Sequence, residues 1–169
     1  MSLTRTLLLA LAVAAVPIHA AERVDMSSWN TYRNEPMGFE VMHPMNWRVR
    51  RTTGTGPESV LLNDVSRTGK PTLTIQFFLQ KNINPRRLSI DEWFADQLKV
   101  LNAAPGGGAH STIGGRPAIR MEASGAFGAR SSFFVSSGDT DMLTIFTAGS
   151  GSTLDPTVEQ ILSSIQFLK

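Results

Sequence analysis

Cysteine is absent from all 169 residues, which excludes disulfides and thiolate metal sites together. A fold without them rests on packing. Histidine is scarce, at three residues, and no spacing gathers several ligands for a metal ion. His43 beside Glu40 or Asp64 comes nearest to a cation or proton site, and a hydrogen bond to a local backbone group is the simpler expectation. No serine stands in a Gly-x-Ser-x-Gly elbow; Gly149-Ser150-Gly151 is only a fragment of one. The glycines at 106–108 lack the downstream Lys-Ser/Thr that a phosphate loop requires. Catalysis, a cofactor and a metal are therefore not expected.

A surplus of one charge is missing too. Sixteen Lys and Arg stand against 14 Asp and Glu, a net charge of +2. Nucleic acid needs a dense basic footprint and is not an expected partner. Long apolar runs are missing with one exception, residues 7–16, which follow Arg5 and end at Pro17. Ile18-His19-Ala20 then offers a small residue to signal peptidase. The run is short for a permanent membrane span, and no cysteine follows it to carry a lipid. Residues 1–20 read as an export signal cleaved after Ala20 or Ala21. The expected product is periplasmic, neither a lipoprotein nor membrane-spanning. Cleavage after Ala20 leaves 149 residues, the size of one domain. We divide them into a flexible leader, 21–30, and a single domain, 31–169.

What is present is a sequence of strand and helix signals. Residues 31–33 and 39–43 read as extended pieces around a turn at Asn34-Glu35-Pro36 and Gly38. Pro44 breaks the second piece, and Trp47-Arg48-Val49-Arg50 resumes it in alternation, so 39–50 reads as one strand interrupted once. Loops at 51–57 and 64–71 flank a short strand at 59–63. Over 72–80, Leu73, Ile75, Phe77 and Leu79 share one face at period two. Residues 88–101 read as a helix: Ser89 caps it, Glu92 completes a capping box, and Leu88 staples against Trp93. Ile90, Trp93, Phe94, Leu98 and Leu101 form its apolar stripe.

A connector at 105–108 leads into a hairpin of 110–113 and 116–122 around Gly114-Gly115. Strands at 130–136 and 142–148 follow, joined by turns at 125–128 and 138–139, and 149–153 closes the meander. A last helix starts with Asp155 as cap and Pro156 at its first position. It buries Val158, Ile161, Leu162 and Ile165, and 166–168 runs out as a short strand. Phe78, Phe134 and Phe146 put apolar side chains on the second face of three strands, so the sheet needs cover on both sides. The expected fold is α+β: an α/β/α sandwich with a central antiparallel sheet of about six strands and two main helices.

Several of these stretches carry a family likeness. Tyr32-x-Asn34-x-x-x-Gly38-Phe39-Glu40-Val41-x-His43-Pro44-x-x-Trp47-x-Val49 resembles the entry to the PsbP-like family, in its bacterial envelope branch. The Leu88-Ser-Ile-Asp-Glu-Trp93 helix start, the Gly114-Gly-Arg-Pro-Ala118 hairpin and the closing Ile161-Leu-Ser-Ser-Ile-Gln-Phe-Leu168 are similar as well. The likeness covers nearly all of the expected mature chain, and its motifs are structural. It implies an α/β/α sandwich. Members include extrinsic subunits of photosystem II, a Ran-binding nuclear-transport factor and bacterial envelope proteins. What they share, binding to a larger protein, implies a similar role here. The long basic N-terminal extension of the plant photosystem subunits has no counterpart in these residues.

The expected function is thus that of an exported, non-enzymatic protein-binding, accessory or assembly factor of the cell envelope. The cations that suit docking are mostly arginines, whose planar forks pair with carboxylates. Arg48 and Arg50 share one face of their strand with Arg51 adjacent, and Arg116 and Arg120 share a face of another. Together with Trp29, an aromatic anchor beside Tyr32 or a cap on the sheet edge, they are the candidate partner surface. The alternative function is a small-ligand carrier, its apolar pocket between sheet and helix lined by Phe78, Phe134, Phe146 and Trp93.

Overall fold

Apolar residues at every second position of 74–80 require a core on one side of that strand. In the computed structural model, which describes residues 25–52, 58–65, 72–101, 107–125, 128–149 and 154–169, Ile75, Phe77 and Leu79 are all buried. The strands, in chain order, are β1 (Trp29–Asn34), β2 (Phe39–Pro44), β3 (Trp47–Thr52), β4 (Ser59–Asp64), β5 (Thr74–Gln80), β6 (Ala109–Ile113), β7 (Arg116–Gly125), β8 (Gly128–Ser136), β9 (Met142–Gly149) and β10 (Gln166–Phe167). Helix α1 (Ile90–Val100) follows β5, and α2 (Pro156–Ser163) follows β9. The export signal at 1–20, the centres of the loops at 51–57 and 64–71, the connector at 105–106, the turn tip at 126–127 and the segment 150–153 lie outside the described residues.

The fold is α+β, with an antiparallel sheet at its centre. The described strands form two sheets rather than one of about six: seven in the order β3-β4-β5-β9-β8-β7-β6, and three in the order β1-β2-β10. The expected interrupted strand is where sequence and structure diverge. β2 pairs with β1 and β10, whereas β3 pairs with β4, so the chain leaves one sheet for the other across Met45 and Asn46. Alternation continues through the break because Phe39, Val41 and Trp47 all face the same core from different layers. β1 also begins earlier than 31, and Trp29 and Asn30 of the expected leader belong to it.

Register defines two faces of the large sheet. Phe77 lies opposite Val60 and Ile145, and Ile145 opposite Phe133, so these share the first face. The small sheet and α2 cover it: Phe39 of β2 stacks on Phe77 at 4.8 Å between ring centroids, and Val158, Ile161, Leu162 and Ile165 join the same cluster. The second face carries Ile119, Phe134 and Met142, on which α1 lays Trp93, Phe94 and Leu98. The two helices thus sit on opposite faces, as the apolar count on both sides demanded.

Both helix starts follow their caps. Ser89 Oγ accepts from the Glu92 N–H at 3.3 Å, and Glu92 Oε2 accepts from the Ser89 N–H at 3.0 Å. The Ser89 hydroxyl and then its N–H hold the Glu92 carboxyl below its usual range. Asp155 Oδ1 accepts from the Thr157 N–H at 2.8 Å. Leu101 departs from the expected stripe: it is the C-cap residue, 73% exposed. Its angle on the helix is right, but no core cluster of the described residues reaches it.

Asp64 closes the β4–β5 connection. Its Oδ1 accepts from the backbone N–H groups of Thr72 and Leu73 at 2.7 and 2.9 Å, and its Oδ2 accepts from the Thr72 hydroxyl. Partial burial by itself raises the Asp64 pKa, and these three hydrogen bonds outweigh it and bring the pKa below the ordinary aspartate value. The unfolded chain therefore binds the proton more readily. The stabilisation is complete above the ordinary aspartate pKa and disappears as pH falls through the lower folded value. Asp64→Ala should cost about 2 kcal/mol at neutral pH, the order of hydrogen bonds to a charged acceptor. Urea titrations across the acid range should show that difference closing.

The β6–β7 turn requires glycine for two separate reasons. Gly114 and Gly115 have φ of +55° and +75°, the conformation of a tight two-residue hairpin. A Cβ on Gly115 would meet nothing within 4 Å, whereas one on Gly114 would lie 2.9 Å from the Ile165 carbonyl oxygen and from the Phe167 ring. Gly115→Ala should therefore cost about 1 kcal/mol of left-handed strain. Gly114→Ala should cost about 1–3 kcal/mol more through overpacking, as measured by the two denaturation midpoints.

Candidate interaction surface

A strand turns alternate residues to opposite faces, so neighbours in sequence need not be neighbours in a patch. Arg48 and Arg50 of β3 stand opposite Asn63 and Leu61 of β4, on the α1 side of the sheet. Both are exposed, and neither has an ion-pair partner among the described residues. Arg51 points to the other face, where it pairs with Glu58 at 2.9 Å. Arg116 and Arg120 also belong to that other face, on β7, which is five strands away from β3 in the sheet order. At ordinary strand spacing that separation is about 24 Å. The arginines are thus two groups and a single residue, not one patch.

The β7 arginines already have partners. Arg116 donates to the Ser136 carbonyl at 2.8 Å and lies over the Phe167 ring at 4.0 Å, which joins the large sheet to β10 of the small one. Arg120 pairs with Glu122 at 2.5 Å and lies 5.6 Å from the Phe133 ring centroid, with its Nε buried and unpartnered among the described residues. Trp29 is half-buried opposite Pro44 at the start of β1 and packs against the main core. It closes the small sheet rather than standing free as an anchor.

The four aromatics expected around a ligand pocket divide into two sets. Trp93 and Phe134 lie under α1 with ring centroids 5.8 Å apart, and Phe94 reaches the same ring. Phe78 and Phe146 form a separate edge-on pair at 5.5 Å, which belongs to no core cluster of the described residues. Phe146 is 42% exposed. Phe78 of β5 and Phe146 of β9 are held there by register, on the part of the α1-side face that α1 leaves open. Sequence alternation put both on the second face; what it lacked was the position of the helix.

Neither of the two described histidines gathers ligands. His43 is buried, its Nδ1 2.9 Å from the Pro44 carbonyl oxygen, which makes that nitrogen the donor. His110 is exposed, with Nδ1 3.5 Å from Asp91 Oδ1 on α1. Among the described residues no group of three or more His, Cys, Asp or Glu could hold a metal ion, and no helix is long and apolar enough to cross a membrane.

No protein-family model and no curated protein matches the sequence. Solved structures do. The solution structure of cyanobacterial PsbP (CyanoP) from Synechocystis is similar at a TM-score of 0.55 and 12% identity, over 90% of this chain and 99% of that one. A crystal structure from Bacteroides thetaiotaomicron is similar at a TM-score of 0.55 and 13% identity, over 84% of this chain. The chain spans about half of that protein's length, 49%. At such identities the likeness is one of architecture, and it agrees with the motifs from Tyr32 to Leu168: this chain has a PsbP-like fold.

Proposed function

We propose that the protein is an exported accessory or assembly factor of the cell envelope, which works by binding another protein and performs no chemistry of its own. The observation that carries this reading is the unequal cover of the large sheet. One face is closed by the small sheet and α2, while α1 packs over β7 and β8 and leaves Phe146 exposed beside Phe78. A large apolar side chain turned outward, next to a second one, favours an interface. The fold shared with PsbP and the role that family resemblance implies point the same way, as analogy. The apolar segment at 7–16 supports export to the periplasm.

The test is affinity capture of the tagged full chain, expressed in its own cells and recovered from the periplasmic fraction. One stoichiometric protein partner is expected. A small molecule held without any protein would replace the reading by that of a carrier, and turnover of a substrate by the purified chain would overturn it.

A further inference from the structure

The second face of the large sheet has a charge pattern that the net charge of +2 hides. Following the register across all seven strands, none of its described outward positions is Asp or Glu. The carboxylates of these strands, Asp64 and Glu122, lie on the opposite face with Arg51 and Arg120. One row across the open half runs Arg50, Leu61, Gln76, Phe146, each opposite the next. Arg48 lies two positions along β3 from Arg50, and Phe78 meets the Phe146 ring.

From this we infer that the open face of β3, β4, β5 and β9 is the docking site, and that its occupant is an acidic segment of a partner protein carrying an apolar anchor. The inference rests on the protein-binding reading above and specifies the chemistry of its partner. Phe78 and Phe146 supply the apolar contact, and Arg48 and Arg50 supply the charge. Among the described strand positions of this face no Asp or Glu neutralises the guanidinium groups of Arg48 and Arg50 or repels an incoming carboxylate; the acidic residues on this side, Asp91, Glu92 and Asp96, belong to α1. Arginine forks also pair with carboxylates in a fixed geometry, which sets orientation as well as attraction.

Spacing narrows the occupant further. Three strand-to-strand steps separate Arg50 from Phe146, about 14 Å. An extended segment covers that distance in about four residues. The partner therefore carries Asp or Glu about four residues from a bulky apolar side chain, if it crosses the strands extended. Arg48 and Arg50, even with the exposed Arg130 of β8 on the same face, are too few for the footprint of a nucleic acid.

Site-specific photo-crosslinking in the producing cells tests this. A benzophenone amino acid is placed at position 146, where Phe146 is already aromatic and exposed, and at Arg33 on β1 as a control. An adduct with a second polypeptide is expected at 146 and not at 33, and its crosslinked peptide should contain Asp or Glu near an apolar residue. Arg48→Glu with Arg50→Glu should lower the adduct yield at least fivefold, while Arg48→Lys with Arg50→Lys should retain most of it. Circular dichroism of each variant verifies the fold. An adduct with a second copy of this chain, with lipid, or with a segment lacking carboxylates overturns the inference, as does a yield unmoved by charge reversal. A partner still captured by the tagged chain in such a case leaves the protein-binding reading standing. Absence of any captured partner removes both.

Discussion

Phe77→Ala is expected to lower stability by about 3–5 kcal/mol, the range for a fully buried aromatic in a core that cannot collapse around the void. Phe77 has no exposed surface and stacks on Phe39 across the two sheets, with Val60 and Ile145 on either side of it. It is the place where β5, β4, β9 and the small sheet meet. Domains of this size have about 5–15 kcal/mol in total, so the loss removes a large fraction of it. Urea denaturation followed by near-ultraviolet circular dichroism should show an early transition and weakened aromatic signals. Phe146→Ala is the comparison. Phe146 is 42% exposed on the open face, and its truncation should cost no more than about 1 kcal/mol. Equal losses at the two positions would mean that Phe146 belongs to the core after all.

Arg116→Ala is expected to cost about 2–3 kcal/mol, because truncation removes a charge-assisted hydrogen bond and a partly buried cation–π interaction at once. Its guanidinium holds the Ser136 carbonyl and covers Phe167, so the change removes a tie between the large sheet and β10 and exposes a ring, while β10 keeps its pairing with β2. Arg116→Lys should recover only part of this, because an ammonium cannot spread over the ring while donating in the same fork geometry. Arg48→Ala and Arg50→Ala should each stay within about 0.5 kcal/mol of the parent. Their exposed side chains contribute to no described ion pair. Denaturation midpoints of the four variants separate arginines that hold the fold from those free to meet a partner. A silent Arg116→Ala would return that residue to the candidate surface.

Much of the local structure is legible in the chain itself. Ser89 with Glu92, Asp155 with Pro156, and Gly114 with Gly115 each use short-range chemistry, and each element begins or turns where those residues stand. The stripe of Val158, Ile161, Leu162 and Ile165 and the period-two face of Ile75, Phe77 and Leu79 are buried as their spacing required. The candidate surface is half legible. Alternation places Arg48 with Arg50 and puts Phe78, Phe134 and Phe146 on the second face. Grouping Arg51 with them ignores the same alternation, which turns it toward Glu58. That Arg116 lies over the Phe167 ring, which comes from more than forty positions along the chain, is beyond the reach of strand alternation.

Periodicity, capping residues and glycine turns are local signals, acting over a few residues, and they suffice for the class of fold, both helices and most strands. Strand partners are a different matter. A buried face says that a strand meets a core, not which neighbour it joins, so 39–50 reads as one strand although β2 and β3 belong to separate sheets. The open half of the second face, with its paired phenylalanines and no Asp or Glu among its described strand positions, exists only once register lines up residues from β3 to β9 and α1 covers the remainder. Pairings across long loops decide that arrangement, and no local pattern encodes them.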